Sequence, residues 1–105
     1  MINNQIIIKA KITFNTTEEG GKKRGIKPGY RPNHAFEKTD NIKLLRTYIG
    51  EIDFVNKESI QPGETSIVTV RFLKIPEIEK YMRVGQKWFI YEVPKLIAEG
   101  EIIEI

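Results

Sequence analysis

Hydrophobic and polar residues alternate along the first part of the chain. Between residues 6 and 14, apolar side chains occupy every second position, and two lysines and a threonine lie among the positions between them. A period of two places the apolar side chains on one face of an extended strand and the polar ones on the other. The segment therefore predicts a β-strand with one buried face.

Similar short apolar segments, separated by turn residues, continue to the end of the chain. They predict five further strands, over residues 33–38, 51–55, 66–73, 88–93 and 96–105. Pro62-Gly63 suits a type II turn, because proline presets φ at the first corner and glycine accepts a positive φ at the second. Residues 40–48 are compatible with a strand or a single helical turn, and residues 77–82 with one short helical turn. Short strands, Gly/Pro turns and no long helix indicate a small all-β sandwich or barrel.

Bulk composition adds little to this picture. A length of 105 residues favours a single domain over residues 1–105. No apolar run approaches the roughly 20 residues that span a bilayer, and the first residues lack the features of a secretory signal. The chain has no cysteine, which fits a cytoplasmic location. The net charge of +3 is compatible with an RNA partner but does not identify one.

The candidate chemistry lies in the long loop over residues 15–32. Gly20-Gly21 permits a sharp turn or a close approach of the backbone to another molecule. Five cationic residues follow within ten positions: Lys22, Lys23, Arg24, Lys27 and Arg31. Such side chains suit phosphate contacts, and Tyr30 among them could stack on a base.

A purely structural interpretation of the same loop stays open. The lysines could serve only solubility, and Tyr30 could close one end of a barrel with its ring buried and its hydroxyl on a backbone group. Arg31 would then pair with an acid such as Asp40 or Glu19.

No catalytic, metal or cofactor site is predicted, so we do not expect an enzyme. The chain lacks the glycine-rich Lys-Ser/Thr motif that binds nucleotide phosphates, which argues against GTP binding. His34 is the only histidine, and we expect it to be a partly buried or exposed strand residue.

Two motifs resemble the signature of a known family. Glu18-Glu19-Gly20-Gly21-Lys22 and Gly29-Tyr30-Arg31-Pro32 are similar, in sequence and order, to motifs in the third, C-terminal domain of elongation factor Tu. Pro62-Gly63-Glu64, the segment over residues 84–90 and Gly100 resemble later parts of that domain in the same order. The resemblance implies a closed six-stranded antiparallel β-barrel of the translation-factor C-terminal domain type, as a stand-alone domain without a GTPase.

The resemblance also implies a binding surface. In the family this domain helps to hold the T arm of aminoacyl-tRNA, and the matching positions here are Lys22, Asn33, Glu92 and Val93. Together with the cationic loop, they predict a set of RNA- or partner-binding residues: Lys22, Lys23, Arg24, Tyr30, Arg31, Asn33 and Glu92. Three departures accompany the match. A Gly-Gly hairpin of the family is replaced by Val93-Pro94, an arginine by Glu37, and the segment between Asp40 and Gly50 is longer.

Three functional hypotheses follow from these residues. The first is a non-catalytic binding module for tRNA or a translation-related protein. The second is a decoy, immunity or regulatory protein that mimics the domain and binds a protein partner of elongation factor Tu. The third is a subunit whose GTPase half is supplied by another chain. The sequence does not predict the oligomeric state.

Overall fold

Six antiparallel strands close into a barrel. The computed structural model describes residues 4–105. The strands are β1 (Gln5–Phe14), β2 (Asn33–Ala35), β3 (Tyr48–Asp53), β4 (Thr65–Leu73), β5 (Lys87–Glu92) and β6 (Lys95–Glu104). Around the barrel they are neighbours in the order β1-β4-β3-β2-β5-β6, and β6 closes onto β1. The predicted closed six-stranded antiparallel barrel is therefore confirmed.

The alternation of β1 fills the interior of the barrel. Ile8, Ala10, Ile12 and Phe14 are buried, whereas the residues between them are exposed. β1 pairs along its length with β4 and along its second half with β6, so this one strand supplies side chains at several levels of the core. The turn after residue 60 also forms as predicted, with Gly63 at a φ of +88°.

The prediction of a strand over residues 33–38 is wrong in its extent, because β2 ends at Ala35. His34, Ala35 and Phe36 are buried consecutively, which a regular strand with a period of two does not allow. The chain bends after Ala35, and Phe36 packs on the ring of Tyr81 at 4.6 Å between centroids. Core packing thus outweighs continuation of the strand.

Two 3-10 turns form in the segments for which a helical turn was considered, residues 40–48 and 77–82. Ile42–Leu44 is the first, and it precedes β3, which begins at Tyr48 and not after Gly50 as predicted. Pro76–Tyr81 is the second, where a helical turn was predicted, and it places Ile78 in the core.

His34 lies fully inside the barrel, which corrects the prediction of a partly buried or exposed residue. Its Nδ1 accepts a hydrogen bond from the indole N–H of Trp88 at 3.0 Å, and its Nε2 lies 3.1 Å from the carbonyl oxygen of Gly50. Because an indole nitrogen can only donate, Nδ1 carries no proton and Nε2 donates to Gly50. Burial lowers the pKa of His34 from its ordinary 6.5 to about 4, so the imidazole is neutral at physiological pH.

Two strand glycines provide the space for these rings. A Cβ atom at Gly100 would lie 2.7 Å from the Trp88 ring, and one at Gly50 would lie 2.8 Å from the His34 ring. Both separations are too short for real carbon atoms. Glycine is therefore required at these positions by the packing of the interior, where both residues are buried.

We expect Gly100→Ala to lower the free energy of unfolding by about 1–3 kcal/mol, the usual cost of overpacking a core. The added methyl group meets Trp88, whose ring is enclosed and cannot move away cheaply. Urea unfolding followed by tryptophan fluorescence measures the change. Glu99→Ala, on the exposed side of the same strand, is the control and should stay within about 0.5 kcal/mol of the wild type. An equal effect of both variants would contradict the packing argument.

We also expect stability to fall as the pH falls from neutral. The unfolded chain protonates His34 near pH 6.5, whereas the folded chain resists protonation until about pH 4. The unfolded state therefore binds more protons in this window, and the free energy of unfolding should drop by about 2 kcal/mol between about pH 7.5 and pH 5. Urea unfolding across this range measures the drop.

An NMR titration of the folded protein is the control for this pH effect, because His34 is the only histidine in the chain. Its ring protons should not shift above about pH 5. A titration midpoint near the ordinary value would show that the imidazole is not held neutral by burial.

Candidate functional site

The start of the cationic loop is tied to the barrel by local hydrogen bonds. Asn15 donates through its backbone N–H to Ile97 at 2.8 Å and through its side chain to Leu96 at 3.0 Å. Thr16 and Glu19 bond reciprocally: the Thr16 N–H donates to the Glu19 carboxylate at 2.8 Å, and the Glu19 N–H donates to the Thr16 hydroxyl at 3.1 Å. These bonds to Thr16 hold the pKa of Glu19 below its usual value.

The Gly20-Gly21 pair completes this turn for two different reasons. Gly20 has a φ of +92°, a conformation that other residues avoid. At Gly21 a Cβ atom would collide with the backbone oxygens of Asn15 and Thr16. The turn therefore needs both glycines to fold, independently of any contact with another molecule.

The far end of the loop is held by backbone pairing. Ile26 forms an isolated antiparallel bridge with Ile60, and Tyr30 forms one with Ile52 of β3. The loop is therefore fixed at both ends and near its middle, so its backbone has one conformation that positions the exposed side chains.

Three of the predicted site residues meet at one point, where the loop reaches the hairpin between β5 and β6. The Lys22 ammonium lies 2.6 Å from the Glu92 carboxylate, and the Tyr30 hydroxyl donates a hydrogen bond to the same carboxylate oxygen. Lys22 also lies 5.2 Å from the centre of the Tyr30 ring. We call Lys22, Tyr30 and Glu92 the clasp, because they join the loop to the hairpin.

The contacts of the clasp shift the pKa values of Tyr30 and Glu92. Burial, followed by the hydrogen bond and charge of Glu92, raises the pKa of Tyr30 well above its usual value. Burial alone would raise the pKa of Glu92, but the hydrogen bonds from Lys22 and Tyr30 outweigh it and the pKa is lowered. Tyr30 thus stays protonated and Glu92 ionised. Neither group is suited to proton transfer near neutral pH.

Arg31 is bound, but to a partner that sequence reasoning missed. Its guanidinium lies 3.1 Å from the carboxylate of Glu51, not from Asp40 or Glu19. The alternative interpretation of Tyr30 is corrected in the same way, because its ring is half-buried and its hydroxyl binds a carboxylate, not a backbone group. Only the position of β3 beside the loop could have revealed Glu51.

Three cations of the loop remain unpaired in the part of the chain that the structure describes. Lys23, Arg24 and Lys27 are exposed, and none lies within ion-pair distance of a carboxylate there. Asn33 is exposed at the start of β2, opposite Tyr91 of β5. The positive surface is therefore smaller than the five cations of the sequence suggest, since Lys22 and Arg31 are neutralised by Glu92 and Glu51.

Within residues 4–105, no three His, Cys, Asp or Glu side chains lie close enough together to hold a metal ion. In the same described range, no helix has the length and apolar character needed to cross a bilayer.

A closed six-stranded antiparallel barrel, with a clasped basic loop beside one hairpin, defines a small β-barrel domain. The family model described as the elongation factor Tu C-terminal domain matches residues 1–105 of the chain. The chain therefore belongs to the elongation factor Tu C-terminal domain family, whose barrel is non-catalytic.

We expect the clasp to act as a coupled unit. A double-mutant cycle with Tyr30→Phe and Glu92→Ala should give a coupling energy of about 1 kcal/mol or more, because a half-buried hydroxyl loses its charged acceptor. Urea unfolding of the four proteins measures it. The control cycle, Arg31→Ala with Glu51→Ala, should couple by less than about 0.5 kcal/mol because Arg31 is well exposed. Strictly additive changes at Tyr30 and Glu92 would disprove the clasp.

Proposed function

We propose that this chain is a non-catalytic RNA-binding module whose exposed basic loop contacts the phosphate backbone of a tRNA. Residues 1–105 would form its single domain, and it would act in the cytoplasm together with the translation machinery. Membership of the elongation factor Tu C-terminal domain family supports a translation-related role. No bound nucleotide, metal or other cofactor enters this proposal.

The observation that carries the proposal is the set of unpaired cations Lys23, Arg24 and Lys27. They follow a turn that is held by its own hydrogen bonds, and no carboxylate in the described chain neutralises them. Such charges can exchange bound counterions for phosphate groups, which is the main source of affinity for nucleic-acid backbones. A defined loop also reduces the entropy that is lost when the complex forms.

Of the other predicted site residues, some would hold the loop in place and others would contact the RNA. Lys22, Tyr30 and Glu92 hold the loop against the hairpin, and Arg31 does the same against β3 through Glu51. Asn33 stays exposed, and its amide would donate a hydrogen bond to a phosphate oxygen or accept one from a ribose hydroxyl. Lys22 would contact RNA only if its ion pair opened.

A second function, docking onto a protein partner of elongation factor Tu, is favoured by the hairpin. Val93 is 51% exposed at the turn between β5 and β6, beside the clasp. An exposed apolar side chain next to a proline suits contact with protein better than contact with a phosphate backbone. A decoy or regulatory protein of this kind would bury Val93 and leave the loop cations at the rim.

We expect the triple variant Lys23→Ala, Arg24→Ala, Lys27→Ala to weaken tRNA binding and to flatten its salt dependence. The slope of the logarithm of Kd against the logarithm of salt concentration should fall by about three, one for each lost phosphate contact. Fluorescence anisotropy with aminoacylated and uncharged tRNA, at several salt concentrations, measures both effects. The melting temperature should hardly change, because the three side chains are exposed.

The matched control removes two lysines and one arginine elsewhere, at Lys11, Arg83 and Lys87, which are also exposed and lie outside the loop. This variant should bind tRNA nearly as well as the wild type. If the wild type fails to bind either tRNA at low salt, the RNA-binding proposal is wrong. If the wild type then binds the exchange factor of elongation factor Tu and Val93→Ser abolishes that binding, docking onto a protein partner is supported in its place.

A further inference from the structure

The segment between Asp40 and Gly50, which is longer than in the family signature, lines part of a cleft at the other end of the barrel. Ala35 at the end of β2 pairs with Phe89 near the start of β5, whereas the clasp lies where β5 ends. The cleft has a volume of about 460 Å³ and opens to solvent. That volume lies within the range of binding sites for small molecules or for one or two large side chains.

Aromatic rings form the floor of this cleft. The Phe36 and Tyr81 rings stack with an angle of 7° between their planes, and Tyr48 meets Phe36 edge to face at 5.8 Å. The Arg46 guanidinium lies over Tyr48 at 4.7 Å and is anchored by Glu77 at 3.0 Å. Apolar rings beside a guanidinium group suit a ligand that carries both an apolar and an acidic group.

An apolar projection stands beside the cleft. The 3-10 turn Ile42–Leu44 is ordered by its own cap, in which the Asn41 side chain accepts a hydrogen bond from the Lys43 N–H at 3.0 Å. None of the residues of the turn is buried, and the exposed fraction is 39% for Ile42 and 72% for Leu44. The segment therefore presents apolar side chains on a defined backbone without burying them in its own core.

The charges around the cleft are unbalanced. Of the two carboxylates in its lining, Glu77 is paired with Arg46, whereas Glu37 only accepts a hydrogen bond from the neutral Tyr81 hydroxyl and keeps its charge. Lys38 and Lys80 have no carboxylate within ion-pair distance among residues 4–105; each lies instead over an aromatic ring. The rim therefore has two lysines against the one carboxylate of Glu37 that no cation neutralises, and this excess of one positive charge favours an acidic partner over a basic one.

We propose that this cleft and the adjacent turn are a docking site for a segment of a partner protein that carries a hydrophobic side chain flanked by acidic residues. The hydrophobic anchor would enter the cleft over the aromatic floor and pack against Leu44. The acidic residues would face Lys38 and Lys80. A protein fits better than a nucleic acid, because the exposed apolar turn gains nothing from a phosphate backbone. The site is separate from the loop that the proposed RNA-binding function uses.

A synthetic peptide tests the proposal directly. The probe is a short fluorescent peptide with a central Trp-Leu pair flanked by glutamates, and two comparison probes are the same peptide with lysines for glutamates and a single-stranded oligouridylate. Anisotropy measures affinity, and NMR shift perturbation locates the contact. We expect the acidic peptide to bind, with shifts at Phe36, Tyr48 and Tyr81, and the basic peptide to bind at least about tenfold more weakly.

Matched variants separate the docking site from general changes of charge. The double variant Leu44→Ser, Lys80→Glu should lower the affinity for the acidic peptide about tenfold or more, because it removes the apolar contact and reverses a rim charge. Val55→Ser with Lys87→Glu makes the same exchanges elsewhere, at a residue that is 93% exposed and at another exposed lysine. This control should bind within about twofold of the wild type. All four residues are exposed, so both variants should fold.

Three results would overturn the proposal. They are failure of the acidic peptide to bind, equal binding of the acidic and basic peptides, and tighter binding of oligouridylate at the cleft. The triple variant of the basic loop should bind the acidic peptide normally. The docking site and the proposed RNA-binding function can therefore fail independently of each other.

Discussion

One buried polar bridge joins the shortest strand of the barrel to both of its neighbours. β2 has only three residues, yet it must join β3 to β5. His34 at its centre accepts from Trp88 of β5 and bonds the Gly50 carbonyl of β3, so one imidazole links three strands. Burial of a polar ring is tolerated because both of its nitrogens have partners. Gly50 and Gly100 complete the arrangement, since any larger residue would occupy the space of the two rings.

This rigid interior supports two surfaces of different chemistry. At one end, the clasp uses the charge of Lys22 to hold the loop and leaves neighbouring cations free. At the other end, aromatic rings form the floor of a cleft whose rim keeps unpaired lysines. Cations therefore serve in two ways in this protein. Some form ion pairs that hold a loop in place, and others remain exposed and available to bind a partner.

The sequence predicted correctly those features that depend on neighbouring residues, and it failed for features that depend on contacts between distant segments. Alternation located β1, whose buried and exposed faces differ in polarity over most of its length, and the apolar content of the later segments located β4 and β6. The prediction overestimated β2, where three consecutive residues are buried and the period of two breaks. It underestimated the burial of His34, because a satisfied core histidine requires partners from distant strands. The clasp brings together three residues predicted separately, two in the loop and one in the hairpin.

The sequence by itself determined the class of fold. Its alternating segments and turn glycines act through neighbours along the chain, so they predict a small all-β sandwich or barrel without knowledge of long-range contacts. The resemblance of the paired motifs to a known family implied the closed antiparallel barrel. Only the tertiary structure decided which charges remain available. Glu92 and Glu51 reach Lys22 and Arg31 from segments 70 and 20 residues away, and no local pattern encodes such pairings. Charge neutralisation depends on distance in space, which is set when the strands close into the barrel.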